Sequence, residues 1–255
     1  MTKIDLKENE RIDDLQREGL KIIQDTNGFC FGMDAVLLSN YCDIKKNSTV
    51  VDLGTGTGII PLLVWAKYKV KKIYGIEIQK EVAEMAKRSV KMNDLEKDIE
   101  IINMDLKEAP ERLGVNKIDV VTTNPPYMLK DSGIINPEDK KAISRHEIKC
   151  TIDDIIRISS RLLKHNGRLF MVHRPHRIVD IFCSLRKYKI EPKSIRFVHP
   201  RADSKPNMVL IKGIKAAKPE LKFNKPLYVY NDNNTYTDEI FDIYGMEKGE
   251  NHESR

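Results

Sequence analysis

Cysteine is scarce and scattered: Cys30, Cys42, Cys150 and Cys183 form no close pair and have no histidine at metal-ligand spacing. A disulfide-stapled scaffold and a zinc finger or ribbon are thereby excluded, and no metal is expected. The four are expected as buried thiols in a reducing compartment. No apolar run approaches the ~18 residues that a membrane helix requires, and the opening Met-Thr-Lys-Ile-Asp-Leu-Lys-Glu has no apolar signal core. A soluble, cytoplasmic protein is the expectation. Internal repeats and low-complexity tracts are lacking as well, which leaves no basis for a solenoid.

What is present is enough apolar sequence for a full core, with 255 residues of which 40% are hydrophobic. One large domain with short appendages is expected, divided as an N-terminal hairpin and helix (1–47), a central domain (48–215) and a partly mobile tail (216–255). Charge is unevenly spread. Residues 164–225 hold 16 Lys and Arg against 4 Asp and Glu, whereas residues 1–163 are close to neutral and residues 226–255 are acidic. A positive segment of that size points to a polyanionic partner such as nucleic acid.

Short apolar runs alternate with longer amphipathic ones. Strands are predicted at Ser48 to Leu53, Lys72 to Glu77, Ile99 to Asn103, Ile118 to Thr123 and Arg168 to His173. Helices are predicted at Ile59 to Tyr68, Lys80 to Met92, Ile152 to Leu163 (stopped by Asn166-Gly167) and Pro175 to Lys187. Strands separated by helices imply parallel pairing through right-handed crossovers, hence an α/β fold with a doubly wound, mostly parallel, seven-stranded sheet. Ser194 to His199 and Met208 to Ile211, joined by a turn with Pro200, Asp203 and Pro206, read as a terminal antiparallel hairpin. Ahead of the sheet, Ile12 to Ile23 around Arg17-Glu18-Gly19 reads as a small hairpin and Met33 to Tyr41 as a short helix.

The run Asp52-Leu53-Gly54-Thr55-Gly56-Thr57-Gly58 puts three glycines in a strand-to-helix turn, where the backbone bends sharply and lies against a ligand. The third glycine comes one residue too early for a dinucleotide fingerprint, and no Lys-Ser or Lys-Thr follows for a nucleotide P-loop. Glu77 ends the second strand, where a carboxylate can accept both ribose hydroxyls of an adenosine cofactor. The combination resembles the cofactor motif of the class I methyltransferases, which use S-adenosylmethionine. That resemblance implies that Gly54, Gly56 and Thr57 line the cofactor and that Asp105 lies beside its adenine, although Asp105 also suits a helix N-cap. Asp52, Thr55, Gly58, Ile78 and Leu106 complete the candidate set around the loop and the next two strand ends.

Asn124-Pro125-Pro126-Tyr127 follows directly on a strand, at the carboxyl edge where α/β folds place their sites. An exocyclic amine is a poor nucleophile because its lone pair is delocalised. The Asn124 carboxamide oxygen and the Pro125 carbonyl are suited to accept its N–H groups and aim the nitrogen, with Asn124 also bordering the cofactor. Pro126 stiffens the loop and Tyr127 would stack on a flat substrate. The tetrapeptide is shared by enzymes that act on adenine N6, guanine N2 and the glutamine of release factors, so it does not choose among them.

Further segments narrow the choice: Gly28-Phe29-Cys30-Phe31-Gly32-Met33-Asp34, Ser144-Arg145-His146-Glu147, Val172-His173-Arg174-Pro175 and Val198-His199-Pro200-Arg201. With them, residues 10 to 215 resemble the bacterial tRNA(Val) adenine-37 N6-methyltransferase family. The resemblance implies methyl transfer from S-adenosylmethionine to N6 of a tRNA adenine, with Phe31, Met33 and Asp34 helping to enclose the cofactor. Arg145, His146 and Arg174 are candidate substrate contacts. His173 and His176, three positions apart with Arg174 and Pro175 between them, read as surface or core histidines.

Overall fold

The computed structural model describes residues 5–28, 31–125 and 150–246. Of the candidate site, Pro126, Tyr127, Arg145 and His146 lie outside those residues, as does Cys30. Strands β1 (Glu10–Asp14) and β2 (Lys21–Asp25) pair antiparallel, forming the hairpin expected around Arg17-Glu18-Gly19. Then come α1 (Met33–Tyr41), β3 (Thr49–Leu53), α2 (Ile59–Tyr68), β4 (Lys72–Glu77) and α3 (Lys80–Met92). They are followed by β5 (Ile99–Asn103), α4 (Ala109–Leu113), β6 (Ile118–Thr123), α5 (Ile152–Leu162) and β7 (Leu163–His173). The described chain closes with α6 (Ile178–Lys187), β8 (Ile190–His199), β9 (Met208–Lys215), β10 (Lys222–Phe223), β11 (Leu227–Tyr228) and α7 (Asp238–Tyr244).

The sheet runs in the order β10-β8-β9-β7-β6-β3-β4-β5, with β11 also on β8. Strands β3 to β7 are parallel, and β8 and β9 form the terminal antiparallel hairpin, so the doubly wound α/β expectation holds. Two short strands beyond the seven carry the sheet outward on β8. Successive residues of a strand point to opposite faces, and Val50 and Val51 do so here. Val50 joins Val120, Phe170 and Leu210 in the core beneath α1, α2 and α3, while Val51 joins Val121, Leu169 and Ile211 beneath α5 and α6.

Some boundaries differ from expectation. β7 begins at Leu163, not Arg168, and Asn166 sits inside it at φ 60, where the β6–β7 pairing is irregular between Ile118 and Val120. The Asn-Gly pair therefore makes a bulge within the strand, while the helix already ends at Leu162. β8 starts at Ile190 because a register shift at Pro192 to Ser194 lets the ladder pass the proline. Of the cysteines expected to be buried, Cys42 is; Cys150 is half-buried and Cys183 is exposed, on the outer face of α6. Among the described residues no helix is long and apolar enough to cross a membrane.

The first and last described elements both bond to the domain. Side chains of α3 cover the edge of β2: Ser89 accepts from the Ile23 amide (3.0 Å), and Asn93 exchanges two bonds with the Lys21 backbone (2.9 and 2.7 Å). The Arg17 guanidinium donates to the carbonyls of Asp242 and Ile243 (2.5 and 2.6 Å), where α7 ends and a cation suits the helix dipole. Leu227, Val229, Ile240 and Ile243 are buried in the core on the α1 side. Arg88 on α3 grips Glu10 with two bonds (2.7 and 2.5 Å), largely shielded from water, and this pairing holds the Glu10 carboxyl below its ordinary pKa. Arg88→Ala is expected to lower the unfolding free energy by about 2 kcal/mol and to speed amide exchange in β1. Urea denaturation with hydrogen exchange measures both, and an unchanged midpoint with unchanged β1 protection contradicts the role.

Candidate active site

The parallel strands β3, β4, β5 and β6 all end on the carboxyl edge, and the candidate residues gather there because their loops leave neighbouring strands. The glycine turn after β3 has Gly54, Gly56 and Gly58 at φ 74, 55 and 88, a region only glycine enters without strain. The amides of Gly54 and Thr55 both donate to the Ile76 carbonyl (3.0 and 2.9 Å), binding the turn to β4. A Cβ on Gly54 or Gly56 would meet nothing within 4 Å, so these two face an open cleft, whereas one on Gly58 would meet Ala86 of α3 at 3.4 Å.

Glu77, 6% exposed, closes one side of this cleft. Its Oε2 accepts from the Gly56 amide (3.0 Å) and its Oε1 from the Gln79 amide (2.9 Å). Two backbone donors fix the carboxylate, and Oε1 also accepts from the Gln79 side-chain amide at 3.5 Å, which leaves a second lone pair on Oε2 for a ligand hydroxyl. Beside it Ile78 is 39% exposed and Leu106 half-buried, an apolar surface suited to a flat ring. Asp105 serves as the N-cap of the short 3-10 turn Leu106–Glu108, accepting from the Lys107 amide at 2.9 Å. Phe31 and Met33 pack against the core at the start of α1, and the Asp34 carboxylate accepts from the Ala35 amide (2.9 Å).

Beneath the glycine turn, Asp52 and Thr55 are buried. The Thr122 hydroxyl of β6 donates to Asp52 at 2.7 Å, and the Thr123 hydroxyl donates to the Leu53 carbonyl at 3.0 Å. Burial raises the Asp52 pKa from 3.8 to about 6, opposed by the Thr122 and Thr55 hydroxyls and aided by the charge of Glu77. Asp52 thus supports the turn from below, while Gly54, Gly56 and Glu77 border the cleft. Asn124 and Pro125 continue β6 immediately beyond these hydroxyls, Asn124 half-buried and Pro125 buried. Arg174 follows β7, the other neighbour of β6, and donates to the Asn207 carbonyl at 3.0 Å. His173 is buried, which lowers its pKa to about 4 with help from the charge of Arg177. It is therefore a neutral core histidine at neutral pH. Among the described residues no cluster of His, Cys, Asp or Glu could hold a metal.

Several contributors were not singled out from the sequence. Gly75 permits a close approach, since a Cβ there would lie 2.7 Å from Ile101 Cδ1 and 3.0 Å from Thr55 Cγ2 and would force those side chains to shift. Asn103 donates to the carbonyls of Glu77 and Ile78 (2.9 and 3.0 Å), bracing the end of β4. Thr122 and Thr123 carry a readable signal, since two hydroxyls at the end of an otherwise apolar central strand need partners when buried.

The family model described as methyltransferase small domain matches residues 32–181. The chain is 26% identical over 194 residues to the tRNA1(Val) (adenine(37)-N6)-methyltransferase of Parabacteroides distasonis, covering 74% of this chain and 79% of that one. In fold it is similar to a predicted O-methyltransferase from Agrobacterium tumefaciens, with TM-score 0.68, 24% identity, and coverage of 84% of this chain and 96% of the other. It is also similar in fold to a geranyl diphosphate C-methyltransferase from Streptomyces coelicolor, solved with S-adenosyl-L-homocysteine. There the TM-score is 0.54 and the identity 12%, over 72% of this chain and 78% of that one.

The raised pKa of Asp52 has a stability consequence. A carboxyl with a folded pKa of about 6 and an ordinary value of 3.8 binds more protons when folded, so its contribution is full below 3.8 and is lost as pH rises through 6. Asp52→Asn lacks this loss and keeps an acceptor for Thr122. Relative to wild type, the variant is expected to gain on the order of 1 kcal/mol between about pH 5 and about pH 8. Denaturant titrations at the two pH values measure it, and a parallel pH dependence of the two proteins contradicts it.

Proposed function

Since the chain belongs to the methyltransferase small domain family, we propose that it is an S-adenosylmethionine-dependent N-methyltransferase acting on the exocyclic N6 of a tRNA adenine, adenine-37 of a valine tRNA by likeness to its relatives. The observation that carries this reading is the adjacency of two strand ends: the open glycine turn of β3 and the Asn124-Pro125 turn of β6 leave the sheet side by side. The cleft fits an adenosine cofactor, with bare glycine backbone, a braced acceptor at Glu77 and apolar cover at Ile78 and Leu106.

When bound, S-adenosylmethionine supplies an activated methyl group on a good leaving group. The protein's own task is then mainly positioning. Glu77 would accept the ribose hydroxyls, Asp105 would border the adenine, and Phe31 and Asp34, just before and within the first turn of α1, would enclose the cofactor. The Asn124 carboxamide oxygen and the Pro125 carbonyl accept the target's two N–H groups, which turns the nitrogen lone pair toward the methyl group and offsets the positive charge developing there. Next in the sequence, Pro126 would stiffen the chain and Tyr127 would stack on the base, while Arg145, His146 and Arg174 are the proposed contacts of its surroundings. Residues 48–215 form the catalytic domain, residues 1–47 and the C-terminal segment pack around it, and the protein works in the cytoplasm with its substrate.

Incubation with methyl-labelled cofactor and unmodified tRNA, followed by digestion to nucleosides, is expected to yield N6-methyladenosine. Label in N2-methylguanosine, or in a release factor with none in RNA, overturns the substrate assignment. Asn124→Ala is expected to reduce kcat by at least ~100-fold, with the affinity for S-adenosylhomocysteine nearly unchanged. Undiminished turnover contradicts its role.

A further inference from the structure

A pocket in the C-terminal segment takes no part in the chemistry above. β11 adds parallel to β8 with Leu227 opposite Val198 and Tyr228 opposite His199, and the amides of Val229 and Tyr230 donate to the His199 and Pro200 carbonyls (2.9 and 2.8 Å). β8 is antiparallel to β9, which is antiparallel to β7, so β8 runs in the same direction as β6 and β7. Tyr228 and Tyr230 therefore leave the sheet at the same edge as Asn124. The order β6-β7-β9-β8-β11 separates them by four strand spacings, about 19 Å.

A tight turn borders the pocket. Tyr230 and Tyr236 form an antiparallel bridge, the Asn231 amide donates to the Thr235 carbonyl (2.8 Å), and Thr237 Oγ1 donates to the Tyr228 carbonyl (2.7 Å). The resulting open pocket of about 430 Å³ is lined by Ala202, Tyr228, Tyr230, Asn231, Asp232, Asn233 and Thr237, a size that admits a nucleobase. Its rings are held from behind: Tyr228 lies against His199 (centroids 5.4 Å apart), Tyr230 stacks on Tyr236 (5.3 Å), and Tyr236 stacks on Tyr244 (6.1 Å). The column ends at the half-buried Tyr244, whose hydroxyl is pushed up in pKa by burial and by the neighbouring charges of Tyr236 and Asp34.

Cations also line this edge. Several others of the basic segment are paired with acids: Arg168 and Lys212 with Asp43, Lys164 with Asp119, Lys187 with Asp153, Arg196 with Glu239 and Arg186 with Glu191. Next to the pocket, the β8–β9 turn carries Arg201, bonded to the Asn234 carboxamide, and the exposed Lys205, while Arg174 reaches the same turn from β7. Aromatic faces, carboxamides and cations along one edge form the combination that binds unpaired nucleotides.

We propose that this pocket docks an unpaired nucleobase of the RNA substrate, a few nucleotides from the target adenine, with Tyr228 stacking on the base, Asn231 and Asn233 at its edge, and Arg174, Arg201 and Lys205 along the phosphates between. It rests on the reading of RNA as the substrate. Asp232 suits the N–H edge of a base and disfavours a phosphate in the pocket itself.

The test is the binding of a fluorescein-labelled, unmodified valine-tRNA anticodon stem-loop to the full chain, by anisotropy, beside S-adenosylhomocysteine affinity. Tyr228→Ala is expected to weaken the RNA about tenfold with cofactor affinity unchanged, and Tyr228→Trp to restore it. Arg201→Ala and Asn233→Ala, which leave the rings in place, are expected to weaken it severalfold, and they decide the matter if Tyr228→Ala does not fold. Wild-type RNA affinity and KM in these variants overturn the docking site even if methyl transfer to tRNA is confirmed. Loss of RNA binding in the variants, with no methyl transfer to any tRNA by wild type, supports the site and rejects the proposed reaction instead. Equal weakening of a release-factor complex, with no RNA binding by wild type, overturns it in favour of a protein partner.

Discussion

The parallel pairing of β3 with β6 at the centre of the sheet is the constraint on which the site depends. Its register sets Asp52 opposite Thr122 and Leu53 opposite Thr123, and two threonine hydroxyls bond across it. Because neighbouring strands lie about 4.8 Å apart, the turns that continue them emerge side by side. One is an open glycine turn and the other begins with Asn124. The rigidity comes from the middle of a sheet buried on both faces, so loops that carry chemistry sit on strands that do not move independently.

That arrangement has an energetic cost, located at Asp52. A carboxyl fully removed from water accepts from the Thr122 hydroxyl at 2.7 Å, and its pKa still rises to about 6. An apolar residue there would avoid the penalty but would leave the buried Thr122 hydroxyl without its acceptor. The buried acid thus joins the undersides of both turns. Gly75 plays the complementary steric part, since its missing side chain lets Thr55 settle against β4.

Much of this was legible in the sequence, and the exceptions have physical reasons. Alternation of apolar runs identified β3, β4, β5 and β6, because a parallel sheet covered on both faces requires nearly continuous hydrophobic strands. The three glycines were readable because positive φ at three positions in five admits little else. Boundaries failed where a bulge intervened, at Asn166 in β7 and at Pro192 in β8, since a bulge lets turn-forming residues lie inside a strand. β10, β11 and α7 were not anticipated: two-residue strands have no period, and the polar, Asn-rich turn that joins β11 to α7 reads as tail. The contrast of charge along the chain was real in sequence, but pairing of Arg168 and Lys212 with Asp43, and of Arg196 with Glu239, depends on contacts distant in sequence.

The claim that the ends of β3 and β6 together form one methyl-transfer site is tested most directly by a crystal structure of the protein with S-adenosylhomocysteine and adenosine. The account predicts ribose hydroxyls on Glu77, the homocysteine backbone over Gly54 and Gly56, and the adenosine N6 bonded to Asn124 and aimed at the sulfur. A cofactor bound away from the glycine turn, or an N6 directed away from Asn124, would contradict it.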